Sequence, residues 1–354
     1  VSAVAADLEL AELRRTPIKN RPPQRTVGEG DARMFLQVLD LDGGVVAQED
    51  VLARYRPAVL DARDWGPWIR MGCGFGRFRR FTARLAGFQS MTASSGRRLT
   101  LYGSGDFHHV SLALVRQITT PFNLLVLDNH PDWMRGVPFL HCGTWLYHAA
   151  RLPQVQQIFH VGGDVDFDNY YRWMAPWKLL REKKIVVFPG RRHFERGGWS
   201  DVPNFPIRIE PEAHLTGDRL AELIAPYRRQ LASFPLYISL DKDVMTQADS
   251  IVNWDSGHVT LNEVCTVLRV FLERTEGKLA GMDIVGDWSP VRLRGLLRHF
   301  LHWTEHPALT VESTGAYRRN EQVNMRLLDT IQAITGEAIE GEGSSSSSDL
   351  RASA

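Results

Sequence analysis

From residue 34 onward the chain alternates between short apolar runs and longer amphipathic stretches. Residues 34–42, 98–105, 122–133, 156–163, 183–190, 235–244 and 279–290 each contain a short apolar run and close on glycine, proline or carboxylates. Runs of that length between turn residues read as buried strands of a parallel sheet, which is covered on both faces. Residues 108–118, 144–152, 221–231, 261–275 and 291–303 read as helices, with residues 50–55 as a shorter one. Residues 56–64 return to an extended pattern. Alternation of this kind predicts an α/β fold, with a parallel sheet between helices in one domain.

The two ends break the rhythm. Residues 1–30 run from a short leucine pattern (Leu8, Leu10, Leu13) into a charged linker rich in proline and glycine. Residues 336–354 end in a serine-rich, low-complexity stretch that reads as a disordered tail. Residues 31–335 remain as the single domain.

Composition excludes more than it assigns. A chain of 354 residues, 44% hydrophobic and 23% charged, has the makeup of a globular protein that buries a large core. A formal net charge of +1 gives no general pull toward nucleic acid or an anionic membrane, so neither is expected as a partner. Arg77, Arg79, Arg80 and Arg84 interleave with Phe78 and Phe81, the pattern of a solvated helix face over buried rings. Gly72, Gly74 and Gly76 lack phosphate-loop spacing and read as a turn. Cys73, Cys142 and Cys265 form no close pair, which speaks against a disulfide framework and for a reducing compartment. No apolar run approaches the roughly 20 residues of a membrane span, and the N-terminal stretch lacks a basic start before an apolar core. The cytoplasm is the expected location.

Chemistry gathers at three predicted strand ends. His108 and His109 follow a glycine turn, Asp128, His130 and Asp132 follow the run 124–127, and Asp241 and Asp243 close the run 236–240. A spacing of two along extended chain directs alternate side chains to one side, and open α/β sheets bind ligands at strand C-terminal ends. Four carboxylates brought together there would repel one another. Two divalent cations shared by the carboxylates would offset that repulsion. Oxygen-rich ligands with imidazole favour two Mn2+, and nickel, cobalt or iron suit the same set.

The segments LDNHPDW and SLDKDV resemble the DxHxD and SxDxD motifs of the arginase, agmatinase and formiminoglutamase family of ureohydrolases. The similarity spans about residues 98–303 in the family's motif order, and GSGDFHHVSLAL resembles its GGDHS segment with altered spacing. The resemblance implies a three-layer α/β/α fold around a mostly parallel eight-stranded sheet. It implies one metal held by His108 (or His109), Asp128, Asp132 and Asp241, and a second by Asp128, His130, Asp241 and Asp243. A hydroxide between the metals would attack, and Asp132 would accept its proton.

The family likeness also implies that His141 passes a proton to the leaving amine and that Asp287 pairs with a substrate guanidinium. Family members usually carry Glu where Asp287 stands, one carbon longer. The loop between Asp132 and His141 lacks the Ser and Asn with which arginases grip free arginine. Trp133 and Trp254 are candidates for an aromatic-walled mouth. The implied activity is hydrolysis of a guanidino C–N bond to urea and an amine. The substrate would be a guanidino compound or peptide-borne arginine, which would give ornithine, and the family often forms homo-oligomers. The alternatives are a deacetylase-like amide hydrolase with one zinc, and a non-catalytic binding protein.

Overall fold

A computed structural model describes residues 33–92, 97–163, 173–188, 216–306 and 311–341. Its strands are β1 (Arg33–Asp40), β2 (Ala58–Asp61), β3 (Gly72–Cys73), β4 (Arg97–Tyr102), β5 (Phe122–Leu127) and β6 (Leu140–His141). They continue with β7 (Val155–Val161), β8 (Ile185–Phe188), β9 (Leu236–Asp241), β10 (Leu279–Val285) and β11 (Ala338–Glu340). Nine of them form one sheet in the order β11-β1-β4-β10-β9-β5-β7-β8, with β2 also on β1. All of its neighbours run parallel. β11 pairs with residues 33–35 of β1 and β2 with residues 37–40. The eight positions expected are therefore filled by nine strands.

Side chains alternate between two cores. On β5, Leu125 and Leu127 join one cluster with Val264, Leu268 and Phe271 of the Leu261–Arg274 helix. Phe122, Leu124 and Val126 join the other, with Phe78, Phe81 and Trp145. Burial of both faces is why these strands read as continuous apolar runs rather than alternating ones. The order β4-β10-β9-β5 sets the C-terminal ends of four strands side by side. β4 and β5 are consecutive in the outer part of that quartet, and the two later strands lie between them. The crevice that results is where such sheets bind ligands.

Three local readings change in the structure. Gly72 and Cys73 are not a turn but pair antiparallel with His141 and Leu140, and Phe75–Met91 is a helix. A Cβ on Gly72 would lie 2.6 Å from Leu140 O, so the close approach requires glycine. Phe78 and Phe81 are buried beneath that helix, as the arginine pattern predicts. Residues 221–231 are broken at Pro226: a 3-10 turn at Ala225–Tyr227 separates two helices. The expected helix at 291–303 begins at Leu296, because Gly295 has φ +95°, outside helical space.

Two elements near the C-terminus escape the sequence pattern. Ser313–Thr335 is the longest helix described, 23 residues. Its buried face carries Asn320 and Asn324 among Ala316, Val323, Leu327 and Ile331, which interrupts the apolar period. Ala338–Glu340 forms β11 within the stretch that composition assigns to the tail. The proposed linker at 1–30, and the tail from 342 onward, lie outside the described residues. No helix among the described residues is long and apolar enough to cross a membrane.

Candidate metal centre

The four adjacent strand ends bring six predicted ligands together. Gly105–Val110, a 3-10 turn after β4, carries His108. Its Nδ1 lies 3.0 Å from Asp128 Oδ2, 3.0 Å from Asp132 Oδ2 and 3.5 Å from Asp241 Oδ2. His130 Nδ1 lies 2.8 Å from Asp243 Oδ2 and 3.8 Å from Asp128 Oδ1. Two ligand triads emerge, His108–Asp128–Asp132 and Asp128–His130–Asp243, each with its donor atoms within 4.8 Å of one another. Asp128 belongs to both.

The turns are shaped around these groups. Asp132 adopts φ +48°, a left-handed conformation uncommon outside glycine and typical of over-determined sites. Gly286 (φ +96°) lies so close that a Cβ there would meet Asp241 Oδ1 at 2.4 Å. The N–H groups of His130 and Asn129 donate to Asp128 Oδ1 (2.6 Å) and Asp243 Oδ1 (3.0 Å). Trp145 Nε1 donates to Asp132 Oδ2 (2.8 Å).

Charge is poorly compensated within the protein. Burial first, then repulsion from Asp132, pushes the Asp128 carboxyl up; burial and Asp243 do the same to Asp241. Asp243 is raised by burial and by Asp128. Burial opposes protonation of the histidines, yet the carboxylates outweigh it. They raise His108 well above its ordinary value and His130 to about 10. Among the described residues no donor meets Asp128 Oδ2 in hydrogen-bonding geometry, although His108 Nδ1 is 3.0 Å away. The residues therefore fit divalent cations, which would take the place of these protons.

A buried network supports His108 from behind. Asp283, in the middle of β10, accepts from Tyr237 Oη (2.7 Å), Ser239 Oγ (2.8 Å) and Ser111 Oγ (2.9 Å). With its proton committed to Asp283, Ser239 Oγ accepts from His108 Nε2 (3.0 Å). Were a cation to replace the Nδ1 proton, that bond would hold the tautomer whose Nδ1 lone pair faces the carboxylates. The signal for Asp283 is a lone carboxylate inside an apolar strand, LAGMDIV.

Four predicted residues take other places. His109 is fully buried with both ring nitrogens unpartnered, and burial followed by the charge of His141 lowers it to about 3. His108, not His109, faces the carboxylates, because the 3-10 turn rotates successive side chains apart. Trp133 is 2% exposed and packs on His160, which bonds the His130 carbonyl, so it is core rather than mouth. Asp287 Oδ1 accepts from Lys242 Nζ (2.5 Å) and Gln48 Nε2 (2.7 Å) in a buried knot with Asn324. A guanidinium would have to displace that lysine. His141 Nδ1 accepts from Gly143 N–H and caps the turn that follows.

Trp254 does stand at the centre. Its half-buried ring lies 5.3 Å from His130 and 4.6 Å from His306. Its Nε1 donates to Asp106 Oδ1 (2.9 Å), which also takes His306 Nε2 (2.6 Å). Burial alone would raise Asp106, but Arg70, 2.5 Å from Oδ2, and His306 hold it well below the usual carboxylate range. Sequence reasoning passes over Asp106, Arg70 and His306, since their partners lie 36 and 200 residues apart.

No protein-family model matches the sequence. An uncharacterised protein of Thermotoga maritima is 28% identical over 193 residues, 54% of this chain and 59% of that protein. The match thus spans under three-fifths of that relative's length. Among solved structures, Helicobacter pylori arginase superposes with a TM-score of 0.51 at 11% identity, covering 84% of this chain and 99% of that one. Formimidoylglutamase from Bacillus subtilis gives 0.50 at 12%, covering 92% and 99%. This chain therefore has the α/β fold of the ureohydrolases, the arginase-like fold.

Proposed function

We propose that this chain is a two-cation hydrolase that cleaves a guanidino C–N bond, giving urea and an amine. The observation that carries the reading is the sharing of Asp128 between two ligand triads. One buried carboxylate common to both sets suits a pair of ions better than a single one. Asp241, 3.5 Å from His108, would complete the first set. Manganese suits the oxygen-rich donors, and nickel, cobalt or iron are chemically compatible. Bound cations would supply Lewis acidity and lower the pKa of a water toward neutrality.

The chain's own groups supply orientation and proton transfer. Asp132 Oδ2, held by Trp145 Nε1–H, is positioned to take a proton from the nucleophile. His141 has Nδ1 engaged by Gly143 N–H, so Nε2 is the nitrogen that would protonate the leaving amine. Trp254 offers a ring beside His130 to a planar cation. Asp287 has no part in substrate recognition in this reading, since Lys242 already pairs with it.

Peptide-borne arginine, giving ornithine, is the favoured substrate, because the loop at 133–140 contains no Ser or Asn to grip free α-amino and carboxylate groups. A cytoplasmic setting accords with Cys73, Cys142 and Cys265 as buried, reduced cysteines. The test is metal content after chelator-free purification, with urea release from arginine peptides and from free arginine. About two manganese per chain with urea from peptides is expected from the ligand count. One zinc, or two metals without urea from any guanidino compound, overturns the assignment.

A further inference from the structure

The helix Leu296–Glu305 turns an apolar stripe outward. Leu296, Phe300 and Trp303, spaced four and three residues apart, are 91%, 58% and 79% exposed. That spacing puts them on one helix face, and a domain helix ordinarily turns such a face toward the core. Val291 and Trp68 add exposed apolar surface near its start. Contiguous surface of this kind marks an interaction site.

The same helix is seated beside the metal centre. At its start, Arg294 N donates to Pro67 O (2.8 Å) and Arg298 Nε to Gly72 O (3.1 Å), in the strand paired with His141. At its end, His306 bonds Asp106 and packs on Trp254, which reaches His130. The stripe therefore runs about 10 Å along the outer face of a helix whose end reaches Trp254, the neighbour of His130. The His130 side chain is 37% exposed, whereas those of the five other candidate ligands are at most 6% exposed.

The rim beside the stripe is basic. Arg77 and Arg294 lie over the Trp68 ring at 4.7 and 5.4 Å, and Arg292 is exposed nearby in sequence. Arg77 donates to Trp68 O, and Arg298 to Gly72 O and Arg294 O. These bonds go to neutral carbonyls, which leave the positive charge in place.

We infer that this ledge docks the polypeptide that carries the target arginine, an extended segment in which large apolar residues alternate with Asp or Glu. The inference rests on the guanidino reading above. Apolar side chains lie against Leu296, Phe300 and Trp303, carboxylates meet Arg77, Arg292 and Arg294, and the arginine passes Trp254 toward His130. A second copy suits the ledge less well, because it would bring a like-charged rim against this one.

The probe is a dye-labelled peptide with one arginine preceded by Leu, Phe and Glu residues, followed by fluorescence anisotropy. Binding is measured to the full chain and to the Leu296→Ser/Phe300→Ser/Trp303→Ser variant. The Kd is expected to rise about tenfold or more in the variant, with turnover of N-acetyl-arginine amide unchanged. An unaltered Kd, or no peptide binding by the full chain, overturns the ledge. So does self-association of the full chain that the variant abolishes, which would make the surface a contact between copies. Urea is scored separately. A lost anisotropy difference with urea intact sinks the ledge alone; no urea from any guanidino compound with the difference intact sinks the guanidino reading instead.

Discussion

A cluster of four buried carboxylates and a single buried carboxylate lie at the same end of one sheet and meet their charge in opposite ways. After β5 and β9, Asp128, Asp132, Asp241 and Asp243 crowd around two histidines, and no Lys or Arg is paired with any of them among the described residues. Just past β10, Asp287 is equally buried but holds Lys242 at 2.5 Å, with Gln48 and Asn324 filling in. Lys242 stands between Asp241 and Asp243 in the chain, so adjacent residues serve opposite solutions. Burial costs an unpaired carboxylate several kcal/mol. The protein offsets that internally at Asp287 and gives the other cluster only two histidines, as the proposed cation site requires. A carboxylate that lacks an internal counter-ion is the better mark of a ligand site.

The sharpest way to break this contrast is Asp128→Asn. It removes the shared ligand, so metal content should drop and urea release should fall on the order of 10,000-fold, about 5 kcal/mol of transition-state stabilisation. The metal-free protein should melt at a higher temperature, because one repelling charge is gone; a lower melting temperature would refute the contrast. Lys242→Met should do the reverse. It leaves Asp287 charged and unpaired, at a cost of roughly 3–5 kcal/mol in denaturant unfolding, and adding Asp287→Asn should restore much of the loss.

Cation binding gives a smaller, reversible effect. Manganese at about 100 times its Kd should stabilise the fold by about 3 kcal/mol per site over chelator-treated protein, read as a shift in melting temperature. A protein whose stability ignores chelation would not need the cation. His148 sharpens the comparison from a third side, as a buried group that stays neutral. Burial, with a smaller contribution from Arg151, lowers it to about 4, and its Nδ1 lacks a hydrogen-bond partner. The unfolded chain takes up that proton near pH 6.5 and the folded one only near 4. Its share of stability is thus full above pH 6.5 and lost as pH falls toward 4, about 2 kcal/mol by pH 5. His148→Gln should flatten unfolding free energy against pH over that window.

Legibility followed the range of each interaction. The strands that carry the site were readable because burial on both faces writes an unbroken apolar run into the sequence, as in FNLLVL. The clustering of the candidate ligands was readable because Asp128, His130 and Asp132, like Asp241 and Asp243, keep a spacing of two at a strand end. Helix 313–335 was not, because its buried Asn320 and Asn324 serve distant partners and disguise its period: Asn320 bonds Ile251, and Asn324 bonds Gln48 and Lys242. Asp283 was equally hidden. Its partners Tyr237 and Ser239 lie on β9 and Ser111 on the helix after β4, two segments distant in the chain.

The sequence by itself determined the α/β alternation, the strand ends that bear carboxylates and the two-residue spacing of the candidate ligands, since each depends on residues within a few positions of one another. Tertiary structure decided which of two adjacent histidines faces the carboxylates, that Asp287 belongs to Lys242, that Trp133 packs inside while Trp254 stands beside His130, and that the Leu296 face turns outward. Those outcomes depend on which neighbour reaches a buried charge or an apolar face first. That is set by strand order in the sheet, which brings together groups up to 307 residues apart.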